Sequence, residues 1–186
     1  MGSGDKPSAV GGFYTVVAHE QRGLFGGLLL LNKSGRPLEF HCTAPIKPNR
    51  AQEILYGASL ESYLYGEAIG AALLAKATSA PTFVCVENAA ALAVREFVDV
   101  PVAMIIAEAE REAEADDRPL FRVDAAHERG LHHVHFAGRK LALPKRFAGD
   151  AVDLEKGLAM LPDHFDLAEP FARIRGAIEE AQRSGR

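Results

Sequence analysis

Two adjacent residues stand where an α/β protein could use them for chemistry. Glu87 and Asn88 directly follow the apolar stretch 82–86, which we predict to be a buried strand. Ligands of open α/β sheets bind just beyond the carboxyl ends of parallel strands, where helix N-termini also favour anions. Glu87 is therefore a candidate metal ligand or base, and Asn88 a candidate ligand-binding residue. In the alternative interpretation, Asn88 caps the next helix and Glu87 only precedes it.

Arg50 and Glu53 form a second candidate pair, near the start of a long predicted helix. Both lie off an apolar stripe that we predict to pack inward. The stripe consists of Ala51, Ile54, Leu55 and Ala58. If this helix begins near the strand ends, Glu53 approaches Glu87, and such paired carboxylates bind Mg²⁺ or Mn²⁺. The alternative is a solvated helix face on which Arg50 contacts Glu53 at i, i+3.

His41 is a third candidate, for ligand binding, on a predicted strand that also contains Cys42. Strand alternation places the two side chains on opposite faces, so they are not expected to share a metal ion. The sequence has no CxxC or HExxH motif. We therefore predict that Cys42 and Cys85 are small apolar side chains of the core.

The stretch 131–136 contains three histidines and is predicted to be a strand. His133 and His135 share one face of it, and with His127 they are candidate ligands for zinc or another transition metal. Two ligands on one strand do not make a complete site. The alternative is an ordinary half-exposed strand whose imidazoles form local hydrogen bonds.

The elements that must position these residues are those of an α/β fold with a mixed sheet. Three antiparallel strands come first, and a βαβ unit with parallel strands follows. A C-terminal β-hairpin and two helices complete the pattern. The predicted strands cover residues 13–18, 25–31, 38–43, 82–86, 100–106, 120–123, 131–136 and 140–143. The predicted helices cover residues 49–77, 88–97, 151–161 and 167–182. The first of these helices is expected to break near Gly57.

Domain organisation is predicted from changes in composition along the chain. Residues 1–12 are expected to be a flexible leader, and residues 13–186 a single domain. Within that domain we distinguish a core at 13–106, an acidic segment at 107–118 and a C-terminal extension at 119–186. The extension contains too few apolar strands to form a core of its own.

Composition argues against membrane insertion and against nucleic-acid binding as the main function, although a local basic patch stays possible. No apolar run approaches the roughly 20 residues of a membrane-spanning helix. The formal net charge of −4 lacks the cationic surplus that is typical of proteins that bind nucleic acid through phosphates. Two cysteines and no export signal favour a cytoplasmic protein without disulfides.

The order of the predicted elements resembles that of the ribonuclease H-like superfamily over residues 13–106. Residues 49–53 look like the helix start of those enzymes, and Glu87 stands where they keep a second acidic residue. The resemblance implies two-metal phosphodiester hydrolysis, with Glu53 and Glu87 as ligands of Mg²⁺ or Mn²⁺. That family carries an aspartate in the middle of its first strand, where this chain has Tyr14, Thr15 and Val16, and its strand-four residue is normally Asp.

The favoured function is therefore assembly, with a second copy or with another protein, without catalysis. It is suggested by the unmatched acidic residues and by small side chains along the helix 49–77, such as Gly66 and Gly70. One alternative is a metal-dependent phosphodiesterase or nuclease that uses Glu53 and Glu87. Another is a small-ligand-binding domain built on His41, Arg50 and the strand end at 87–88.

Overall fold

The computed structural model describes residues 10–106 and 130–184. Within them, seven strands form one mixed sheet. The strands are β1 (Gly11–His19), β2 (Gly23–Leu31), β3 (Pro37–Cys42), β4 (Phe83–Val86), β5 (Val102–Ile105), β6 (Leu131–Phe136) and β7 (Arg139–Pro144). Their spatial order is β3-β2-β1-β4-β5-β7-β6. Strand β1 begins at Gly11, two residues earlier than we predicted, and Val10 before it is also buried.

The strand directions confirm the predicted fold class. Strand β2 is antiparallel to both β1 and β3, whereas β4 is parallel to both β1 and β5. The hairpin β6–β7 joins the same sheet through antiparallel pairing of β7 with β5. The C-terminal extension therefore adds two strands to the edge of the same sheet and does not form a second sheet. The predicted strand at 120–123 and the acidic segment lie outside the described residues.

The helical elements fall into two groups along the chain. The first contains α1 (Arg50–Tyr56), a 3₁₀ turn (Gly57–Ser59), α2 (Leu60–Ser62), a π-helix (Tyr63–Ala71), α3 (Ala72–Lys76) and a 3₁₀ helix (Ala90–Glu96). The second contains a 3₁₀ helix (Lys145–Asp150), α4 (Ala151–Leu158) and α5 (Glu169–Ser184). In the described residues, no helix is both long and apolar enough to cross a membrane.

The start and the break of the first helical run follow the sequence. Asn49 accepts a hydrogen bond from the Gln52 amide at 2.9 Å, and the Gln52 side chain accepts one from the Asn49 amide at 3.0 Å. This is a complete capping box. The predicted break is confirmed, since Gly57 has a φ of +50° and ends α1.

Helices cover both faces of the sheet. On one face α4 and α5 pack against strand residues such as Phe13 and Phe83. On the other face the π-helix and the 3₁₀ helix Ala90–Glu96 pack against residues such as Tyr14 and Val84. The alternation of Phe13 and Tyr14 follows from the period of two in a strand. The apolar run at the end of β2 is buried on both faces, which agrees with its unbroken apolar sequence.

The small residues of the first helical run are used inside the fold. A Cβ on Gly66 would lie 2.9 Å from the Ala93 carbonyl carbon, and one on Gly70 would lie 2.7 Å from a Val94 methyl group. These two glycines therefore let the π-helix lie close against the 3₁₀ helix Ala90–Glu96. They are not available to a second subunit.

The apolar stripe of α1 does not pack inward, and that prediction was wrong. Ile54 is 66% exposed and Leu55 is 82% exposed, and α1 has no buried residue. Helical spacing reveals that a stripe exists but not which surface it faces. Here helix α1 ends at Gly57. The buried contacts are made by the later part of the helical run, at residues such as Ile69 and Leu73.

Candidate functional site

The candidate site lies at the carboxyl ends of the parallel strands β1 and β4. Tyr14 pairs with Val86 in the sheet, which brings the next residues, Thr15 and Glu87, side by side. The Thr15 hydroxyl donates a hydrogen bond to Glu87 Oε1. From α5, Arg175 donates to the same carboxylate, with Nη1 2.7 Å from each oxygen. Thr15, Glu87 and Arg175 therefore form one connected group.

Burial decreases outward through this group. Thr15 is fully buried, whereas the side chains of Glu87 and Arg175 are 31% and 44% exposed. The guanidinium already compensates the charge of the carboxylate. A divalent cation that bound Glu87 would have to compete with this cation and with the Thr15 donor.

Asn88 lies just before Ala89, the N-cap residue of the 3₁₀ helix Ala90–Glu96. Its Oδ1 accepts a hydrogen bond from the Ala91 amide at 2.9 Å. The Asn88 side chain is therefore used within the fold, close to the capping role that the sequence offered as the alternative to ligand binding. A ligand at Asn88 stays a prediction.

Glu53 and Glu87 have separate partners. The Glu53 carboxylate lies 3.0 Å from Arg50 Nη1 on α1, in the i, i+3 contact that was the alternative interpretation. The carboxylate of Glu87 contacts Thr15 and Arg175 instead. Over the ranges 10–106 and 130–184, no group of three or more His, Cys, Asp or Glu side chains could hold a metal ion. A metal shared by the two glutamates stays a prediction.

His41 belongs to a hydrogen-bonded cluster centred on Glu39. Its Nε2 lies 2.9 Å from Glu39 Oε2. Glu39 also accepts hydrogen bonds from the Thr78 hydroxyl and from the Thr78 and Ser79 amides, at 2.7 to 2.9 Å. Hydrogen bonds from Ser79, His41 and Thr78 hold the pKa of Glu39 well below its usual range. The cluster ties β3 to the segment after α3.

The two cysteines differ, so the prediction for them was half right. Cys85 is fully buried, and desolvation raises the pKa of its thiol. Cys42 is exposed, because β3 is an edge strand of the sheet and its outer residues lack cover. Cys42 pairs with Gly27 and His41 with Leu28. The two side chains therefore point to opposite faces, as expected.

His133 and His135 are exposed on the edge strand β6. They pair with Ala142 and Lys140 of β7. His127 lies outside the described residues. The histidine metal site therefore stays a prediction.

Sequence reasoning missed Arg175 as a member of the candidate site. It follows Ile174 on an ordinary amphipathic helix, and nothing in its surroundings points to a partner 88 positions away. Thr15 gave a usable signal. It is a polar residue inside an apolar strand. Among the described residues, Thr15 is the polar or charged residue whose side chain is fully buried.

Comparisons of the chain with protein-family models, with curated proteins and with solved structures gave no match.

Proposed function

We propose that this chain is a non-catalytic α/β domain that assembles with a second copy of itself through α1. The observation that carries the proposal is the exposure of two large aliphatic side chains on one short helix. Ile54 is 66% exposed and Leu55 is 82% exposed. Exposed apolar patches on folded domains mark contact surfaces.

Energetics supports a covered state for this helix. A helix of seven residues is marginal in water by itself and depends on packing for its stability. Full burial of an isoleucine or leucine side chain contributes about 1.5–3 kcal/mol. Tyr56 stacks on Tyr63 with ring centroids 4.2 Å apart, which extends the apolar surface and orders it before association. We name Ile54, Leu55 and Tyr56 the α1 patch.

The distribution of charge favours a second copy as the occupant. Lys47 and Arg50 precede the α1 patch along the chain, and Glu61 and Glu67 follow it. All four side chains are exposed, and Arg50 also forms the exposed ion pair with Glu53 described above. In a two-fold interface with antiparallel helices, the start of one run meets the end of the other. The basic end of each copy would then face the acidic end of its partner.

The phosphodiesterase implied by the resemblance remains the alternative function, with Mg²⁺ or Mn²⁺ at Glu53 and Glu87. It requires that a metal ion displace Arg175 from the Glu87 carboxylate. A small-ligand function at His41, Arg50 and Asn88 is the other alternative. Under the proposal the protein is a cytoplasmic homo-oligomer, consistent with its thiols, which form no disulfide.

The test is the molar mass in solution as a function of concentration, measured by sedimentation equilibrium. We expect a reversible dimer for the native chain and a monomer for Leu55→Glu, because the substitution buries a charge in the proposed interface. Val152→Glu is the matched control, since Val152 is 60% exposed on α4, away from the α1 patch. It should dimerise like the native chain.

A charge exchange tests the identity of the occupant. Arg50→Glu should weaken the dimer, and the double variant Arg50→Glu/Glu61→Arg should restore it. A native chain that stays monomeric at millimolar concentration, or a Leu55→Glu variant that still dimerises, would contradict the proposal. A Mn²⁺-dependent rise of the melting temperature that Glu87→Gln abolishes would instead favour the phosphodiesterase.

A further inference from the structure

A pocket of about 380 Å³ lies between the C-terminal part of α5 and the edge of the sheet at β2 and β3. Its apolar wall includes Phe25, Pro45 and Ile178, of which Phe25 and Ile178 are buried. The lining residues with polar side chains are Arg22, Cys42, Thr43 and Gln182. The volume lies at the small end of the ~300–1,000 Å³ that is usual for ligand pockets. The pocket is separate from the α1 patch and from Glu87.

Arg22 is the charged group of this pocket. Its Nη1 donates to Gln182 Oε1 at 3.2 Å, which orients the guanidinium without compensating its charge. In the part of the chain that the structure describes, no carboxylate pairs with Arg22. By contrast, Arg95, Arg173 and Arg175 all pair with carboxylates. A guanidinium beside an apolar wall provides bidentate recognition of an anionic head group.

We propose that this pocket binds a small monocarboxylate with an apolar body. The carboxylate pairs with the Arg22 guanidinium, and the body packs against Phe25, Pro45 and Ile178. A single guanidinium matches a single negative charge, whereas a phosphate dianion is usually held by several cations or backbone amides. A neutral apolar ligand would leave the Arg22 charge without a partner. The proposal therefore commits to a monoanion.

The chain contains its own reporter of pocket occupancy. Cys42 lines the pocket and is exposed, so a thiol reagent reaches it in the folded protein. Cys85 is fully buried, and burial raises the pKa of its thiol, so it does not react on the same time scale. The alkylation rate of the native chain therefore reports on Cys42. A ligand in the pocket covers this thiol.

The experiment measures alkylation of Cys42 by iodoacetamide, followed by mass spectrometry, with octanoate as the probe. Octan-1-ol and octylamine serve as neutral and cationic controls. With octanoate at about ten times its dissociation constant, mass action leaves about one pocket in ten open, and alkylation should slow about tenfold. The alcohol and the amine should protect far less at equal concentration.

Variants assign the effect to the guanidinium. Arg22→Gln should lose the protection by octanoate, and Arg22→Lys should keep part of it because the charge remains. Arg36→Gln is the matched control, since Arg36 is exposed in the turn between β2 and β3, at the other end of these strands. It should behave like the native chain. Unchanged melting temperatures would show that each variant is folded.

Three outcomes would overturn the proposal. The first is that neither octanoate nor 4-phenylbutyrate slows alkylation at any soluble concentration. The second is equal protection by octan-1-ol or octylamine, which would remove the role of the charge. The third is full protection of the Arg22→Gln variant, which would place the carboxylate elsewhere. Titration calorimetry with octanoate on Cys42→Ser must give the same affinity as the alkylation assay.

Discussion

Nη1 of Arg175 lies 2.7 Å from both carboxylate oxygens of Glu87, and this contact joins the last helix to the end of the central strand β4. The ends of parallel strands and the start of a 3₁₀ helix meet here, at the edge where α/β proteins commonly bind ligands. In this chain an internal cation occupies the carboxylate. The contact is partly exposed, so its energy is limited by solvent and by salt.

The first prediction concerns this pair. Arg175→Gln should lower the free energy of unfolding by about 0.5–1 kcal/mol, and a double-mutant cycle with Glu87→Gln should give a coupling energy of similar size. Urea unfolding measures both quantities, and the coupling should shrink at high salt. Arg183→Gln is the control, because Arg183 is 75% exposed and its contact with Glu179 is long, with 4.0 Å between Nη2 and Oε2. Strict additivity of the two substitutions would show that the contact contributes nothing.

The second prediction concerns the Thr15 hydroxyl, which is fully buried and donates to Glu87. Thr15→Val keeps the shape of the side chain and removes the donor, so it should lower the free energy of unfolding by about 1 kcal/mol. In a Glu87→Ala background the hydroxyl has lost its acceptor. There the same substitution should be neutral or stabilising. A cost that is equal in both backgrounds, measured by urea unfolding, would argue that the hydroxyl does not act through Glu87.

Much of the fold could be predicted because its signals are local. The apolar run of β2 predicts burial on both faces, and Asn49 with Gln52 predicts the start of α1. Both are properties of neighbouring residues in the sequence. The turn between β6 and β7 has a local origin as well, since Ala137 and Gly138 take positive φ values there.

What could not be predicted depends on contacts between distant segments. The stripe with Ile54 and Leu55 has the spacing of a buried face, yet these side chains are exposed, because α1 ends at Gly57 and only the later helical segments pack on the sheet. The partner of Glu87 is Arg175, on a helix far along the chain. Amphipathic spacing predicts that a helix packs on a sheet, but not which polar residue at its margin meets which strand end.

The third prediction concerns the pH dependence of stability. Glu39 is 14% exposed at its side chain, and hydrogen bonds from Ser79, His41 and Thr78 hold its pKa below the ordinary value of 4.5. Because the folded-state pKa is the lower one, the stabilisation is fully present above that ordinary value. It is lost as the pH falls from there toward the folded-state pKa.

Glu39→Gln should therefore lower the free energy of unfolding by about 1–3 kcal/mol at neutral pH, since an amide oxygen satisfies fewer donors. The difference from the native chain should shrink progressively below about pH 4.5. Urea unfolding at a series of pH values measures it. Glu53→Gln is the control, because its ion pair with Arg50 is exposed and should give little difference at any pH. A difference for Glu39→Gln that stays constant down to pH 3 would contradict the linkage.

The last prediction concerns an ion pair that is more buried than the one at Glu87. Arg95 Nε lies 2.6 Å from Asp150 Oδ2, and the two side chains are only 15% and 18% exposed. The guanidinium also donates to the Val98 carbonyl at 2.6 Å, and its carbon lies 4.2 Å from the centroid of the Phe147 ring. It therefore joins the two 3₁₀ helices at Ala90–Glu96 and Lys145–Asp150.

Arg95→Met should lower the free energy of unfolding by about 3 kcal/mol, because it leaves the Asp150 charge buried without its partner. Arg95→Lys should lower the free energy of unfolding by less than Arg95→Met does, since lysine keeps the charge and loses only the planar contacts of the guanidinium. Arg146→Gln is the matched control, because the ion pair of Arg146 with Glu96 lies close by and is about half exposed. Its cost should stay within about 0–1 kcal/mol. Equal costs for Arg95→Met and Arg146→Gln would mean that burial does not distinguish the two pairs. We expect the Arg95 effect to persist at high salt, where the Arg146 effect vanishes.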